Sequence, residues 1–293
     1  MDTILELQNV TKSFKNKLVL ERVSLSIPSN QVTAIIGKNG SGKSTLLKII
    51  GGLTKPDSGQ VLLRNGESVR IGYVPEVIPA VIPFTPVEYL THMGTIRGLP
   101  KEWLQQRINT LLEMFHMEDD GNTRIVHFSK GMKQKVMIMQ AMLEETDLLI
   151  MDEPISGLDP KAQTELEDLL ILMKERKISV ILTCHETKLL EKVVDQILAI
   201  HQGQITQTSS QQAQVKFMNR LVFELSNTVS IGPLRDKVII QKETEIGSGR
   251  RVIELNVRQE QTNKVVKEFL DLGASIKLLA PLHNKETEFF QQF

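Results

Sequence analysis

Short apolar runs alternate with amphipathic segments through the first 205 residues of the chain. The runs Val32–Ile36, Leu148–Met151 and Ser179–Thr183 have the length of buried strands, and each is followed by small or polar residues. A helix is expected over residues 45–50 and another between the last two runs. This pattern predicts an α/β domain with a largely parallel sheet, whose ligands bind at the carboxyl ends of the strands.

Residues 77–145 show helical periodicity instead. Thr85 and Glu88 are spaced as a capping box around Pro86, which marks a helix start. One apolar stripe at helical spacing follows, formed by Leu104, Ile108, Leu111, Leu112 and Phe115. We therefore expect a helical subdomain over residues 77–145, inserted into a core made of residues 1–76 and 146–205.

A second unit is predicted after residue 205. Residues 206–214 are rich in Gln and Ser and lack periodicity, which is typical of a linker. Residues 215–293 are expected to form a small accessory α/β domain, with a helix over 265–272 and strands over 221–225, 237–240, 252–257 and 276–279. A turn is predicted at residues 247–249.

Composition and charge narrow the function classes. The 35 Lys and Arg residues balance 35 Asp and Glu residues, so the global charge gives no indication of a nucleic-acid partner. One cysteine excludes an internal disulfide and suits a reducing compartment. No run of 18 apolar residues and no signal peptide is apparent, so a cytoplasmic location is expected, and any membrane role would be exercised from that side.

Residues 37–44 fit the phosphate-binding pattern G-x-x-x-x-G-K-[ST] between a strand and a helix. Its glycines let successive backbone N–H groups converge on phosphates, and the positive end of the helix dipole adds to them. The lysine supplies a mobile charge to the outer phosphates, and the serine hydroxyl can bind Mg²⁺. ATP-binding residues are therefore predicted to be Gly37, Lys38, Asn39, Gly40, Ser41, Gly42, Lys43, Ser44 and Thr45.

The predicted strand Leu148–Met151 delivers two adjacent acids, Asp152 and Glu153. Because side chains alternate along a strand, the two acids need not point the same way. Asp152 is expected in the Mg²⁺ shell and Glu153 beside the water that attacks the γ-phosphate. Solvated acids at a strand end are the plainer alternative for an isolated motif of this kind.

Further segments resemble the ATP-binding subunits of ABC transporters. Residues 72–76 (GYVPE) resemble a family loop that ends in glutamine, and residues 128–132 (FSKGM) resemble the signature usually written LSGGQ. Residues 156–159 (SGLD) and 183–186 (TCHE) resemble the segments that follow the catalytic glutamate and contain the switch histidine. Phe14 stands where the family places an aromatic residue on adenine. The resemblance covers about residues 4–205.

This resemblance implies an ABC-type P-loop NTPase core, an ATPase cycle and two partners. A second ATP-binding subunit would contribute its signature residues Ser129, Lys130, Gly131 and Met132 across the interface. His185 would contact the γ-phosphate and assist Glu153, with Lys43 completing the catalytic set. The other partner would be an integral membrane permease docked on the helical subdomain, which places the chain peripherally on the inner face of the membrane.

Two departures from the family pattern affect the prediction. Glu76 replaces the usual glutamine, and either ligates Mg²⁺ through oxygen or acts only as a hinge facing solvent. Lys130 and Met132 replace Gly and Gln in the signature, which leaves the phosphate-facing serine and second glycine in place. The segments around Glu76 and Lys130 look more like bacterial drug, lipid or antibiotic-peptide exporters than importers.

Two other functions are alternatives to that of a transporter subunit. A soluble ABC-type ATPase acting on ribosomes, DNA or a biosynthetic scaffold is the main alternative, although the duplicated ATP sites or long coiled coils of such relatives are lacking in the sequence. A regulatory subunit without turnover is the second alternative. The combined presence of Lys43, Asp152, Glu153 and His185 argues against it.

Overall fold

The computed structural model divides the chain into two compact units, Met1–Thr208 and Ser209–Phe293. Their division falls within the segment predicted as a linker. The structure describes residues 2–15, 17–63, 68–79, 81–184, 187–208, 218–231, 239–247, 249–258 and 261–281. His185, Glu186 and most of the predicted linker lie outside these residues, as do positions 237, 238 and 248 of the accessory unit.

A three-stranded antiparallel sheet is formed near the N-terminus. Its strands are β1 (Thr3–Phe14), β2 (Lys17–Pro28) and β4 (Ser58–Leu63), in the order β2-β1-β4. Leu5 and Leu7 alternate with more exposed neighbours along β1, which buries one face of the sheet and leaves the other towards solvent. This sheet forms an antiparallel part of the first unit.

The second sheet has six strands and carries the strand ends of interest. They are β3 (Val32–Ile36), β5 (Ile71–Val74), β6 (Leu148–Met151), β7 (Ser179–Thr183), β8 (Gln196–His201) and β9 (Gln204–Thr208). The order is β5-β6-β7-β3-β8-β9, and only β9 runs antiparallel to its neighbour. Because β3, β6 and β7 are parallel, their carboxyl ends lie along one edge.

One apolar core joins the two sheets around helix α1 (Lys43–Ile50). Leu46 and Leu47 of α1 pack in the same cluster as Leu7 of β1 and Ile150 of β6. Two further helices, α5 (Pro160–Glu175) and α6 (Thr187–Lys192), connect β6 to β7 and β7 to β8. Asp159 caps α5 before a proline at the first helical position. The α/β prediction for this unit is confirmed.

The helical part contains α2 (Pro86–Ile96), α3 (Lys101–Met114), a short 3₁₀ turn (Ile125–His127) and α4 (Lys130–Ala141). Thr85 and Glu88 form the predicted capping box at the start of α2. The apolar stripe of α3 is buried, as its spacing predicts. Ser129 caps α4 through a hydrogen bond that its hydroxyl accepts from the backbone N–H of Met132 at 3.2 Å.

The accessory unit is a four-stranded antiparallel sheet with one described helix. The elements are β10 (Met218–Ser226), β11 (Ile239–Gly247), β12 (Arg250–Arg258), α7 (Thr262–Asp271) and β13 (Ser275–Pro281), with strand order β11-β12-β10-β13. Phe223 stacks on Phe269 of α7 with ring centroids 4.4 Å apart, which fixes the helix on one face of the sheet. The strand predicted over 237–240 corresponds to β11, which is longer than expected because it continues to Gly247.

Candidate functional site

The phosphate-binding motif lies between β3 and α1, in the context that it requires. The Lys43 side chain is 6% exposed and folds back over the loop. Its ammonium group donates hydrogen bonds to the backbone carbonyls of Gly37 at 2.8 Å and Lys38 at 3.4 Å. The loop therefore holds a buried positive charge at its centre.

Two glycines of the loop stand where no other residue fits without strain. A Cβ atom on Gly37 would lie 2.5 Å from the carbonyl oxygen of Ile200 in β8. Gly42 has a φ of 109°, and a Cβ atom there would meet the backbone of Val19 at 3.0 Å. Without side chains at these positions, the loop backbone can therefore pass close to β2 and β8.

Asp152 and Glu153 follow β6 and are joined by the hydroxyl of Thr183 at the end of β7. This hydroxyl is buried, donates to Oδ1 of Asp152 at 2.8 Å and accepts from the backbone N–H of Glu153 at 2.7 Å. Glu153 has a φ of 49°, in the left-handed region that is uncommon for side chains other than glycine. The two acids are thus separated by a turn in the chain, and not by strand alternation as predicted.

Lys43 and Glu153 meet in a cavity of about 490 Å³ beside the loop. The Lys43 Nζ and Glu153 Oε1 atoms are 3.7 Å apart. Six lining residues were predicted to bind ATP, namely Asn39, Gly40, Gly42, Lys43, Ser44 and Thr45. The other four are Val19, Glu76, Glu153 and Ser156.

Two of the residues that shape this site were given no role by the sequence. Thr183 could have been found, because it ends a buried strand next to the one that carries the acids. Val19 is an ordinary apolar strand residue, and its contact with the loop at Gly42 depends on tertiary packing. Sequence patterns contain no signal for such a contact.

Asp152 and Phe14, two further predicted site residues, are not among the residues that line the cavity. Asp152 is 4% exposed and accepts a hydrogen bond from the Thr183 hydroxyl. Phe14 is 49% exposed, and the Lys12 ammonium lies 5.3 Å from its ring centroid. His185 lies outside the described residues, so its predicted role stays a prediction.

The signature residues form a separate surface at the start of α4. Gly131 packs so closely on α5 that a Cβ atom would lie 2.6 Å from Cβ of Ala162. The Lys130 ammonium lies over Gly157, at 2.7 Å from the position of a Cβ atom there. Lys130 lines a second cavity of about 450 Å³ with Glu76 and Ser156, which also line the first cavity. The two cavities are therefore neighbours.

The residues present fit a bound nucleotide with Mg²⁺. The Ser41 hydroxyl oxygen in the loop is buried and has no hydrogen-bond partner among the described residues, as expected of a group that serves a ligand. Ser44 lines the cavity, and Asp152, which precedes the lining residue Glu153, offers a second oxygen donor of the kind that Mg²⁺ prefers. Burial and, secondarily, the Asp152 charge raise the pKa of the Tyr73 phenol to about 12, so that group is neutral.

Comparison with known proteins gives a consistent picture. Residues 20–156 match the model of the family described as ABC transporter. The ABC-type transporter ATP-binding protein EcsA of Bacillus subtilis is 35% identical over 211 residues, which cover 69% of this chain and 85% of EcsA. The zinc import ATP-binding protein ZnuC of Photobacterium profundum is 32% identical, with 69% and 76% covered. Nod factor export ATP-binding protein I of a Rhizobium species is also 32% identical, with 68% of each chain covered.

A solved structure described as the ATP binding subunit of an ABC transporter is 32% identical, with a TM-score of 0.62. The matched region covers 71% of this chain and 90% of the solved chain. The fold and the site define the class of the protein as a P-loop ATPase that binds ATP with Mg²⁺ and hydrolyses it. Within that class, the chain belongs to the ABC transporter family and is one of its ATP-binding subunits.

Proposed function

We propose that this chain drives an exporter, hydrolysing ATP together with a second ATP-binding subunit beneath a separate membrane permease. The observation that carries the ATP-hydrolysing part of the proposal is the meeting of the phosphate loop, Glu153 and Glu76 around one cavity. Sites of this kind convert phosphate chemistry into motion, because a bridging nucleotide closes two parts and its hydrolysis releases them.

Within the chain, Lys43 is proposed to bind the outer phosphates and Glu153 to orient and deprotonate the attacking water. In the structure the Lys43 Nζ and Glu153 Oε1 atoms are 3.7 Å apart. When ATP binds, Lys43 would pair with its phosphates instead of Glu153, and the Glu153 carboxylate would be left to face the attacking water. Ser44 and Asp152 would hold Mg²⁺, which neutralises phosphate charge when it is bound. Glu76 lines the same cavity, where its carboxylate adds negative charge beside the phosphates.

The signature is proposed to act on the ATP of the other subunit. Ser129 is exposed and does not line the nucleotide cavity of its own chain. Its hydroxyl already caps α4, which directs that helix's N-terminal N–H groups outwards. A second copy of the chain would bring this helix end onto the phosphates and make ATP the joint between the copies.

Mixing two inactive variants tests this arrangement. Lys43→Ala removes the phosphate-binding charge and Ser129→Ala removes the signature hydroxyl, so each variant alone is expected to lose hydrolysis. In a mixed dimer, one site combines the intact Lys43 of one copy with the intact Ser129 of the other. ATPase activity should therefore return on mixing, whereas the double variant Lys43→Ala/Ser129→Ala should stay inactive. No recovery from two folded variants would reject a second copy as the partner.

Docking on a membrane permease is proposed for the helical part. No helix among the described residues is long and apolar enough to cross a membrane. Six large apolar side chains in residues 77–126 are nevertheless exposed, more than solvent contact favours. They are Val77, Val81, Phe84, Ile96, Trp103 and Val126. Contact with a permease would cover such side chains and place the chain on the inner face of the membrane.

The export direction rests on resemblance. The segments around Glu76 and Lys130 are similar to exporter subunits, and the Nod factor export protein is as similar overall as the zinc import protein. Transport itself decides between the two directions, once the permease is known. The assay uses membrane vesicles that hold the captured permease, with this chain bound on their outer surface. If the assembly exports, these vesicles should accumulate substrate when ATP is added outside.

The permease is identified by capture from native cells. Tagged Glu153→Gln protein should retain ATP and a closed assembly, so mild detergent extraction with MgATP is expected to recover a polytopic membrane protein. Ile96→Glu in the same background places a charge on a side chain that is 78% exposed and should abolish this recovery. Leu53→Glu is the matched control, since Leu53 is also exposed but lies after α1. Recovery of ribosomes or DNA alone would contradict the transporter proposal.

A further inference from the structure

Three charged side chains line the second cavity, which adjoins the nucleotide cavity. Glu76 contributes a carboxylate, and Lys130 and Lys133 of α4 contribute two ammonium groups. In the part of the chain that the structure describes, none of the three forms an ion pair. Their charges are therefore available to act on one another across this cavity and on a ligand beside it.

Glu76 stands at the boundary between the two cavities. It lines the nucleotide cavity with Lys43 and Ser44, and the second cavity with Lys130. A carboxylate in this position adds negative charge beside a triphosphate, which opposes ATP binding unless a positive charge offsets it.

Lys130 is placed to supply that positive charge. Its ammonium group lies over Gly157, the neighbour of Ser156, and Ser156 lines both cavities. Gly157 has a φ of 66° and no side chain, which leaves room for the lysine to lie against the loop. Lys130 and Glu76 therefore line the same cavity of one chain, with the lysine ammonium beside the loop that carries Ser156.

We propose that Lys130 is a positioning residue for ATP binding in its own chain, because it compensates the carboxylate of Glu76 at the wall shared by the two cavities. The proposal rests on the ATP site described above and adds an electrostatic partner to it. It differs from the proposed action of the signature on the opposite subunit, since it requires no dimer.

The expected size of the effect follows from Coulomb's law. Lys130 carries one positive charge, and MgATP carries a net charge of about −2. At a separation of about 8 Å in a water-like medium, removing the lysine charge would change the MgATP dissociation constant roughly fivefold. Most of that change should disappear at high salt, because the Debye length falls to about 3 Å at 1 M ionic strength. A merely structural role of Lys130 would not produce this salt dependence.

The test measures the dissociation constant of MgATP for the full chain, diluted until it is monomeric. Lys130→Gln should weaken binding roughly fivefold at low salt, and Lys130→Arg should bind as the parent does. Glu76→Gln combined with Lys130→Gln should restore affinity to within about twofold of the parent, because both charges are then gone. Lys161→Gln is the control, since Lys161 is 88% exposed on α5 and lines neither cavity.

Two results would overturn the proposal. One is unchanged affinity of Lys130→Gln for MgATP, and the other is a double variant as weak as Lys130→Gln alone. Either result leaves the ATP site intact as long as the parent binds MgATP. Failure of the parent chain itself to bind MgATP would instead count against the proposed function, so the two failures are distinguishable.

Discussion

Replacing Thr183 by valine should damage both the stability and the chemistry of the first unit. The Thr183 hydroxyl is buried at the end of β7 and serves two partners, the Asp152 carboxylate and the Glu153 backbone N–H. Valine has nearly the same shape, so packing is largely retained. The substitution removes the hydroxyl, so the Asp152 carboxylate loses a hydrogen-bond donor and the Glu153 N–H loses an acceptor.

The magnitude follows from these two bonds. Each buried partner left unsatisfied costs about 1–3 kcal/mol, and more when it is charged. Asp152 is 4% exposed, so water does not readily replace the lost hydroxyl. We expect the unfolding free energy of the first unit to fall by about 2–5 kcal/mol, a large part of the 5–15 kcal/mol typical of a domain. Hydrolysis should fall by more than MgATP affinity, because Glu153 loses its backbone anchor.

Tryptophan fluorescence during urea unfolding measures the predicted fall in the unfolding free energy of the first unit. Trp103 is the only tryptophan in the chain and belongs to the first unit, so its signal is not mixed with that of the accessory unit. Thr183→Ser is the matched control. It keeps both hydrogen bonds and loses one methyl group, for an expected cost of about 1 kcal/mol.

The reasoning would be refuted if Thr183→Val unfolded at the same urea concentration as Thr183→Ser and hydrolysed ATP at the parent rate. Unchanged stability with lost hydrolysis would mean that the hydroxyl only orients Glu153. Lost stability with parental hydrolysis would mean that the position of Glu153 is set by other contacts, such as that with Lys43.

Three further predictions concern other parts of the first unit. Gly131→Ala should destabilise the chain by about 1–3 kcal/mol in urea unfolding, because the new methyl group meets Ala162 at 2.6 Å, and Ala162→Gly should relieve the loss. Burial raises the pKa values of Tyr73, to about 12, and of Tyr89, so alkaline titration should show tyrosinate absorbance later in the folded chain than in urea. The stabilisation linked to Tyr73 is present below its usual pKa of 10.0 and is lost as the pH rises through about 12. Glu153→Gln should bind MgATP as the parent does and lose turnover in a phosphate-release assay; turnover at the parent rate would exclude Glu153 as the general base.

Much of the fold was predictable because its signals are local. The strands β3, β6 and β7 have the predicted bounds, since each is a short apolar run that ends at a glycine or a polar residue. The start of α2 follows from the Thr85 capping box, which requires only residues that are close in sequence. The ABC-type ATPase fold and ATP binding are also confirmed. They were predictable because the phosphate loop is one continuous segment of the sequence.

What the sequence did not reveal depends on contacts between distant segments. The length of β11 follows from its pairing with β12, which extends to Gly247 although residues 242–247 are exposed and include only one large apolar side chain, Ile246. The proximity of Glu76 and Lys130 requires the end of β5 and the start of α4 to border one cavity, although 54 positions separate them in the chain. Charges that share a cavity in this way leave no periodic pattern.

The position of the two acids illustrates how the sheet register determines the chemistry. Met151 pairs with Leu182, so the next residues, Asp152 and Thr183, emerge side by side at the same edge of the sheet. A slip of one residue would turn Thr183 to the other face and leave Asp152 without its donor. Glu153 then leaves the strand through a left-handed turn, which directs its carboxylate to Lys43 while its N–H stays on Thr183. ATP hydrolysis is therefore expected to depend on strand pairing as well as on the acids, and a substitution in β7 should impair it without touching ATP.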